Sequence, residues 1–88
     1  MVKRSKTIRD RNRSAIAKGQ PNCWLCGYEI DYTLPYLHPL EFTVDHRIPL
    51  DLGGPDTLDN CAPAHRRCNR AKSNRLVAPI VRRSNTLA

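Results

Sequence analysis

Two groups of residues in this chain could do chemistry. The first is the run Thr43-Val44-Asp45-His46-Arg47-Ile48-Pro49-Leu50. A short β-branched stretch delivers an acid beside an imidazole, and a proline ends it. A carboxylate such as Asp45 can hold a hard divalent cation through oxygen. An imidazole such as His46 changes charge near neutral pH, which suits a general base. An isolated Asp-His pair could simply start a turn. Here Gly53-Gly54, Asn60 and a stretch carrying His65, Cys68 and Asn69 follow it, which favours a site.

The second group is Cys23, Cys26, His65 and Cys68, two pairs with a two-residue spacer in each. Three thiolates and one imidazole make a tetrahedral zinc set. Zinc there would join an N-terminal knuckle, Cys23-Trp24-Leu25-Cys26-Gly27, to the last helix. Two other readings compete. Four cysteines could form two disulfides, although a chain without a secretory signal is expected to stay cytoplasmic, with reduced thiols. Alternatively Cys61 could replace His65 as the fourth ligand. Cys61 lies seven residues before Cys68, outside the knuckle spacing, and reads better as a small buried thiol.

A chain of 88 residues makes one small domain with a marginal core. Seven prolines and an aromatic fraction of only 6% weaken that core further, so a metal or disulfides should staple it. Zinc-finger peptides bind their ion with about 10–16 kcal/mol, enough to supply much of a folding free energy. The net charge is +7, an excess that suits a polyanionic partner such as nucleic acid. A membrane surface is a weaker match, because no stretch has a strong apolar helical face. No apolar run reaches membrane-spanning length.

The elements that must position these residues follow from local patterns. Residues 1–6 read as a basic arm. Thr7 to Lys18 reads as a helix, with Asp10 three after Thr7 and a stop at Gly19 and Pro21. Ile8, Ala15 and Ile16 form its thin apolar stripe, and Arg9, Arg11, Arg13 and Lys18 favour a face turned to DNA. A short strand is expected near Tyr28–Asp31, and His38 reads as surface in a proline-bracketed loop. Phe42 to Ile48 is the best strand, with Phe42, Val44 and His46 on one face. Leu50 to Asp59 is a loop, Asn60 to Pro63 a second strand, and Ala64 to Asn74 a helix. Leu76 to Val81 reads as extended, and Arg82 to Ala88 as a tail. The chain thus divides into a basic arm and helix at 1–22, a zinc-bound domain at 23–75 and an extension at 76–88.

In this order the pieces resemble the HNH endonucleases, and within them short bacteriophage-encoded proteins. The likeness rests on Cys23-x-x-Cys26, Asp45-His46-Arg47-Ile48-Pro49-Leu50, Gly53-Gly54, Asp59-Asn60 and His65-x-x-Cys68-Asn69-x-x-Lys72. It implies a small zinc-stabilised α+β fold, the ββα-metal (treble-clef-like) finger, here with an added N-terminal basic helix. It implies that His46 is the base that activates water and that Asp45 is a ligand of the catalytic ion. Asn60 would fix the loop and orient His46. Asn69 stands where the family often has its last His, so the chain looks like an HNN variant with Asn69 as second ligand. An amide oxygen favours Mg²⁺ or Mn²⁺ over Ni²⁺ or Zn²⁺ at that site. Arg47, Arg66, Arg70, Lys72 and Arg75 would join Arg9 and Arg13 in contacting DNA, with little sequence preference.

The resemblance also implies a partner, the phage terminase, during genome packaging in the host cytoplasm; the chain itself is expected to be a monomer or weak dimer, since one base and one ion cut one strand. A second assignment puts His65 and Asn69, four apart on a helix, together on the catalytic ion, with Cys61 completing the zinc set. A different functional reading is a non-catalytic zinc module that binds nucleic acid or terminase.

Overall fold

The computed structural model of the chain describes residues 6–77. Its elements are helix α1 (Lys6–Ala17), strand β1 (Phe42–His46), strand β2 (Cys61–His65) and helix α2 (Arg66–Lys72). Short 3-10 turns at Leu50–Leu52 and Leu58–Asn60 punctuate the loop between the strands. Two strands followed by a helix, with a Cys/His cluster beside them, are consistent with the ββα-metal fold.

The strands pair antiparallel, with Phe42 opposite His65, Val44 opposite Pro63 and His46 opposite Cys61. Alternation along β1 therefore sends Phe42, Val44 and His46 one way and Thr43 and Asp45 the other. Helix α1 meets the Phe42 face. The Arg13 guanidinium lies 4.7 Å above the Phe42 ring, and its Nη2 donates to the Phe42 carbonyl at 3.3 Å. Helix α2 meets the opposite face: Asn69 Nδ2 donates to Thr43 Oγ1, and Lys72 reaches Asp45. The hydrophobic cluster is small, Cys23, Ile30, Phe42 and Ala64, with Ile16, Ala17 and Trp24 among the residues packed on it. A core this thin fits a domain that depends on a metal staple.

Several elements differ from expectation. On α1 the packed position between Ile8 and Ile16 is Asn12, which is buried, whereas Ala15 is exposed and Ile8 is 42% exposed. Strand β1 ends at His46 rather than Ile48, because the Ile48 peptide pairs with the Asn60 side chain and Pro49 has no N–H. Strand β2 extends to His65, so His65 precedes α2 instead of riding on it. No strand forms over 28–31. Asp31 Oδ1 instead accepts from both Thr33 N and Thr33 Oγ1, a local turn that holds its carboxyl below the usual range. His38 is half-buried, and its Nδ1 accepts from Leu40 N in the same loop. The expected arm before Lys6, the tail over 82–88 and most of the extended segment over 76–81 lie outside the described residues. Among those described, no helix is long and apolar enough to cross a membrane.

Candidate active site and metal centre

The knuckle turns at Gly27, whose φ of 84° suits a residue without a side chain. Gly27 N donates to Cys23 O at 2.8 Å, which folds Cys23 and Cys26 toward each other. Trp24 N donates to Pro63 O, so the knuckle lies along β2 near His65. The ligand atoms of Cys23, Cys26, His65 and Cys68 all lie within 4.8 Å of one another. His65 Nδ1 stands 3.4 Å from Cys26 Sγ and 3.8 Å from Cys68 Sγ. Its other nitrogen, Nε2, is 2.8 Å from the Glu29 carbonyl. A carbonyl can only accept, so Nε2 carries the proton and Nδ1 presents a lone pair to the sulfurs. This cluster can hold zinc.

Burial and mutual proximity perturb the thiols. Burial pushes Cys68 up to about 12, with the negative charge of Cys23 and the nearby Cys26 adding to the effect. Burial also raises Cys23, but backbone hydrogen bonds at His65, Cys26 and Leu25 outweigh it and leave this thiol below its usual value. A divalent ion at the centre would relieve the repulsion and deprotonate the set. The four cysteines form no disulfide. Cys61 lies apart from the knuckle, grouped with His46 and Asp56, and His65 points to the thiols rather than to Asn69.

Asp45 and His46 line one open cleft of about 180 Å³, together with Pro49, Leu50, Asp51 and Lys72. Both are buried, and alternation gives their side chains different partners. Asp45 Oδ1 accepts from His46 N at 2.9 Å and from Lys72 Nζ at 3.3 Å, and Oδ2 accepts from Trp24 Nε1 at 2.9 Å. His46 Nε2 lies 2.8 Å from Asp56 Oδ1. In the neutral ring that contact places the proton on Nε2 and leaves Nδ1 as the acceptor.

Asn60 is buried and pairs with the loop on three sides. Its Oδ1 accepts from Ile48 N at 2.9 Å, and its Nδ2 donates to Ile48 O at 3.0 Å and Pro55 O at 2.8 Å. Gly54 packs against the same peptide so closely that a Cβ there would lie 1.9 Å from Ile48 O. These contacts fix the loop that carries Asp56 toward His46.

Asn69 does not hydrogen-bond Asp45; its Nδ2 donates to Thr43 Oγ1 at 3.2 Å. That hydroxyl gives its own proton to Ala64 O, so it must accept from the amide nitrogen, and Asn69 Oδ1 faces elsewhere. Of the two expected ligands, Asp45 lines the cleft and Asn69 does not; a carboxylate and an amide oxygen are the donor types that would suit a hard ion. Mg²⁺ retains several waters and needs few protein ligands.

The expected phosphate contacts differ among themselves. Lys72 does not stand on the surface: it is 3% exposed, and its ammonium bonds Asp45 and the His46 carbonyl. Arg75 caps α2, donating to Lys72 O and Ala71 O. Arg66 lies 3.8 Å from Glu41, and Arg13 is tied to Phe42. Arg47 is exposed, 4.9 Å above the Trp24 ring whose indole holds Asp45. Arg9 and Arg70 are exposed. Sequence reasoning missed Trp24, Asp56 and the inward course of Lys72. The last was signalled, since Lys72 is three residues after Asn69 and shares its helix face.

Residues 23–75, more than half of the chain, match the family model described as HNH endonuclease. The chain belongs to the HNH endonuclease family. Comparison with curated proteins gives no match. HNH membership suggests nuclease activity, DNA binding and use of a divalent metal, and the HNH match spans both the thiol knuckle and the cleft at Asp45 and His46.

Proposed function

We propose that the chain is a metal-dependent DNA endonuclease in which His46 is the general base. Cys23, Cys26, His65 and Cys68 hold a structural zinc, and Asp45 with Asn69 holds a catalytic Mg²⁺ or Mn²⁺. One observation carries the reading: Asp45 and His46 line a single cleft in a chain of net charge +7. A phosphodiester resists attack because its anionic oxygens repel hydroxide and its leaving alkoxide is poor. A divalent cation held by Asp45 and Asn69 would supply positive charge against the negative charge that develops in the reaction.

The residues do the rest. His46 Nδ1 takes the proton from an in-line water while Asp56 balances the imidazolium that forms, as a carboxylate does for a histidine base elsewhere. Asn60 keeps His46 and Asp56 in register by gripping the loop between them. Lys72 offsets the Asp45 charge and carries positive charge into the cleft. Arg47, Arg9, Arg70 and the outer faces of Arg66, Arg13 and Arg75 position the backbone without reading bases, which predicts little sequence preference. One base and one ion cut one strand per visit. The role beside a phage terminase rests on the resemblance to short phage proteins.

Supercoiled plasmid tests the activity. Nicking is expected with Mg²⁺ or Mn²⁺ and none with a chelator, and the nicks should be sealed by DNA ligase, as 5′-phosphate and 3′-hydroxyl ends require. DNA binding without cleavage under any metal would favour a non-catalytic zinc module instead.

A further inference from the structure

The grouping of His46, Asp56 and Cys61 is unlike anything the nuclease reading requires. Hydrolysis uses the imidazole and its carboxylate partner; it has no need of a sulfur. Yet Cys61 is directly opposite His46 in the β ladder, and the three ligand atoms lie within 4.8 Å of one another. His46 and Cys61 are buried and Asp56 is half-buried, so the group is largely screened from bulk water. One nitrogen, one oxygen and one sulfur are the donors of a zinc site with three protein ligands and an open fourth position.

We propose that His46, Asp56 and Cys61 form a second metal site, which takes a thiophilic ion such as Zn²⁺ or Cd²⁺ and thereby switches the nuclease off. The switching clause rests on His46 being the base; the site itself does not. A tetrahedral ion places such donors about 3.3–3.7 Å apart, so side-chain shifts of about 1 Å close the group. The imidazole binds through Nε2, the nitrogen now facing Asp56. Cys61 loses its thiol proton to solvent and becomes the sulfur ligand. The ring proton leaves Nε2, and the neutral ring carries it on Nδ1 instead. The atom that should accept a proton from water is then itself protonated, and the base is lost without blocking the cleft. Mg²⁺, a hard ion that avoids sulfur, does not select this site. Zinc would therefore support folding at the knuckle and suppress activity here.

The test uses the full chain loaded with one equivalent of zinc. Cd²⁺ is titrated in while sulfur-to-cadmium absorption and zinc release are followed together. One further equivalent should bind with a gain in absorption and no release of zinc. Cys61→Ala should abolish that absorption, and Asp56→Asn should weaken binding by more than about tenfold. In parallel, free Zn²⁺ should suppress Mg²⁺-dependent nicking by wild type, and Cys61→Ala should resist it. If Cys61→Ala does not fold, Asp56→Asn on the loop carries the binding comparison alone. Failure to take up a second equivalent, or equal uptake by the variants, overturns the site. Uptake by a protein that nicks nothing would sustain the site and overturn the nuclease reading.

Discussion

Lys72→Met removes an ammonium from one of the most enclosed ion pairs in the described chain. The side chains of Lys72 and Asp45 are 2% and 6% exposed, and the charged atoms are 3.3 Å apart. At an effective dielectric constant of about 20, that separation gives a gross attraction of roughly 5 kcal/mol. Desolvation of both groups offsets much of it in the intact pair. The variant escapes only half of that cost, because Asp45 stays buried with its charge uncompensated. Breaking buried pairs in this way costs about 3–5 kcal/mol. Trp24 Nε1 and His46 N still donate to the carboxylate, so the lower end applies, about 3 kcal/mol. Urea unfolding of the zinc-saturated protein measures it. With an m-value of about 1 kcal/mol/M for a domain of this size, the midpoint should fall by about 3 M. Mg²⁺ should raise the midpoint of the variant more than that of wild type, since a cation near Asp45 replaces the lost charge. Adding Asp45→Asn should recover part of the loss, giving a coupling of about 2 kcal/mol in the double-mutant cycle. A loss under about 1 kcal/mol with no coupling would show the pair to be solvent-screened and refute its burial.

Four further predictions concern the staple and the loop. Stripping zinc with a strong chelator should abolish the cooperative urea transition, because binding of about 10–16 kcal/mol exceeds the whole stability expected of a small domain. Cys68→Ser should lose tight zinc and Cys61→Ala should keep it, read by metal content after dialysis; the reverse pattern would move the zinc set. Asn60→Ala leaves Ile48 N, Ile48 O and Pro55 O without their partner, a loss of about 2–4 kcal/mol by thermal or urea unfolding. Gly54→Ala drives a methyl into Ile48 O and should cost about 1–3 kcal/mol, with faster hydrogen exchange confined first to the loop over 48–56; an unchanged midpoint would contradict the close approach.

The parts of this molecule that depend on local pattern were legible in the sequence. The two-residue spacers announced the thiol cluster, and the β-branched run announced β1. The Pro63-containing strand and the last helix were readable too, with ends displaced by one or two residues, since cap geometry depends on tertiary contacts. The parts set by long-range contact were not. Asp56 looks like any turn acid in a Gly- and Pro-rich loop; only folding of that loop by Asn60 brings it to His46. Trp24 reads as a spacer between two cysteines, and nothing local says that its indole reaches Asp45. Lys72 looked like a phosphate contact because a lysine near a helix end is usually solvated. Here its four-carbon stem runs inward along α2 to a carboxylate. The Tyr28–Asp31 strand failed for a local reason, since Asp31 satisfies its neighbours in a turn before any strand can use them.

The central claim is that His46 activates the attacking water in a zinc-stapled fold. Cleavage of supercoiled plasmid by wild type and His46→Ala tests it most directly, with Mg²⁺ present and with zinc content and DNA affinity measured on the same samples. The account predicts that His46→Ala keeps its zinc and its affinity for DNA and loses nicking by about 10²–10⁴-fold, the usual worth of a general base. Equal nicking by the two proteins would contradict it and remove His46 from the reaction.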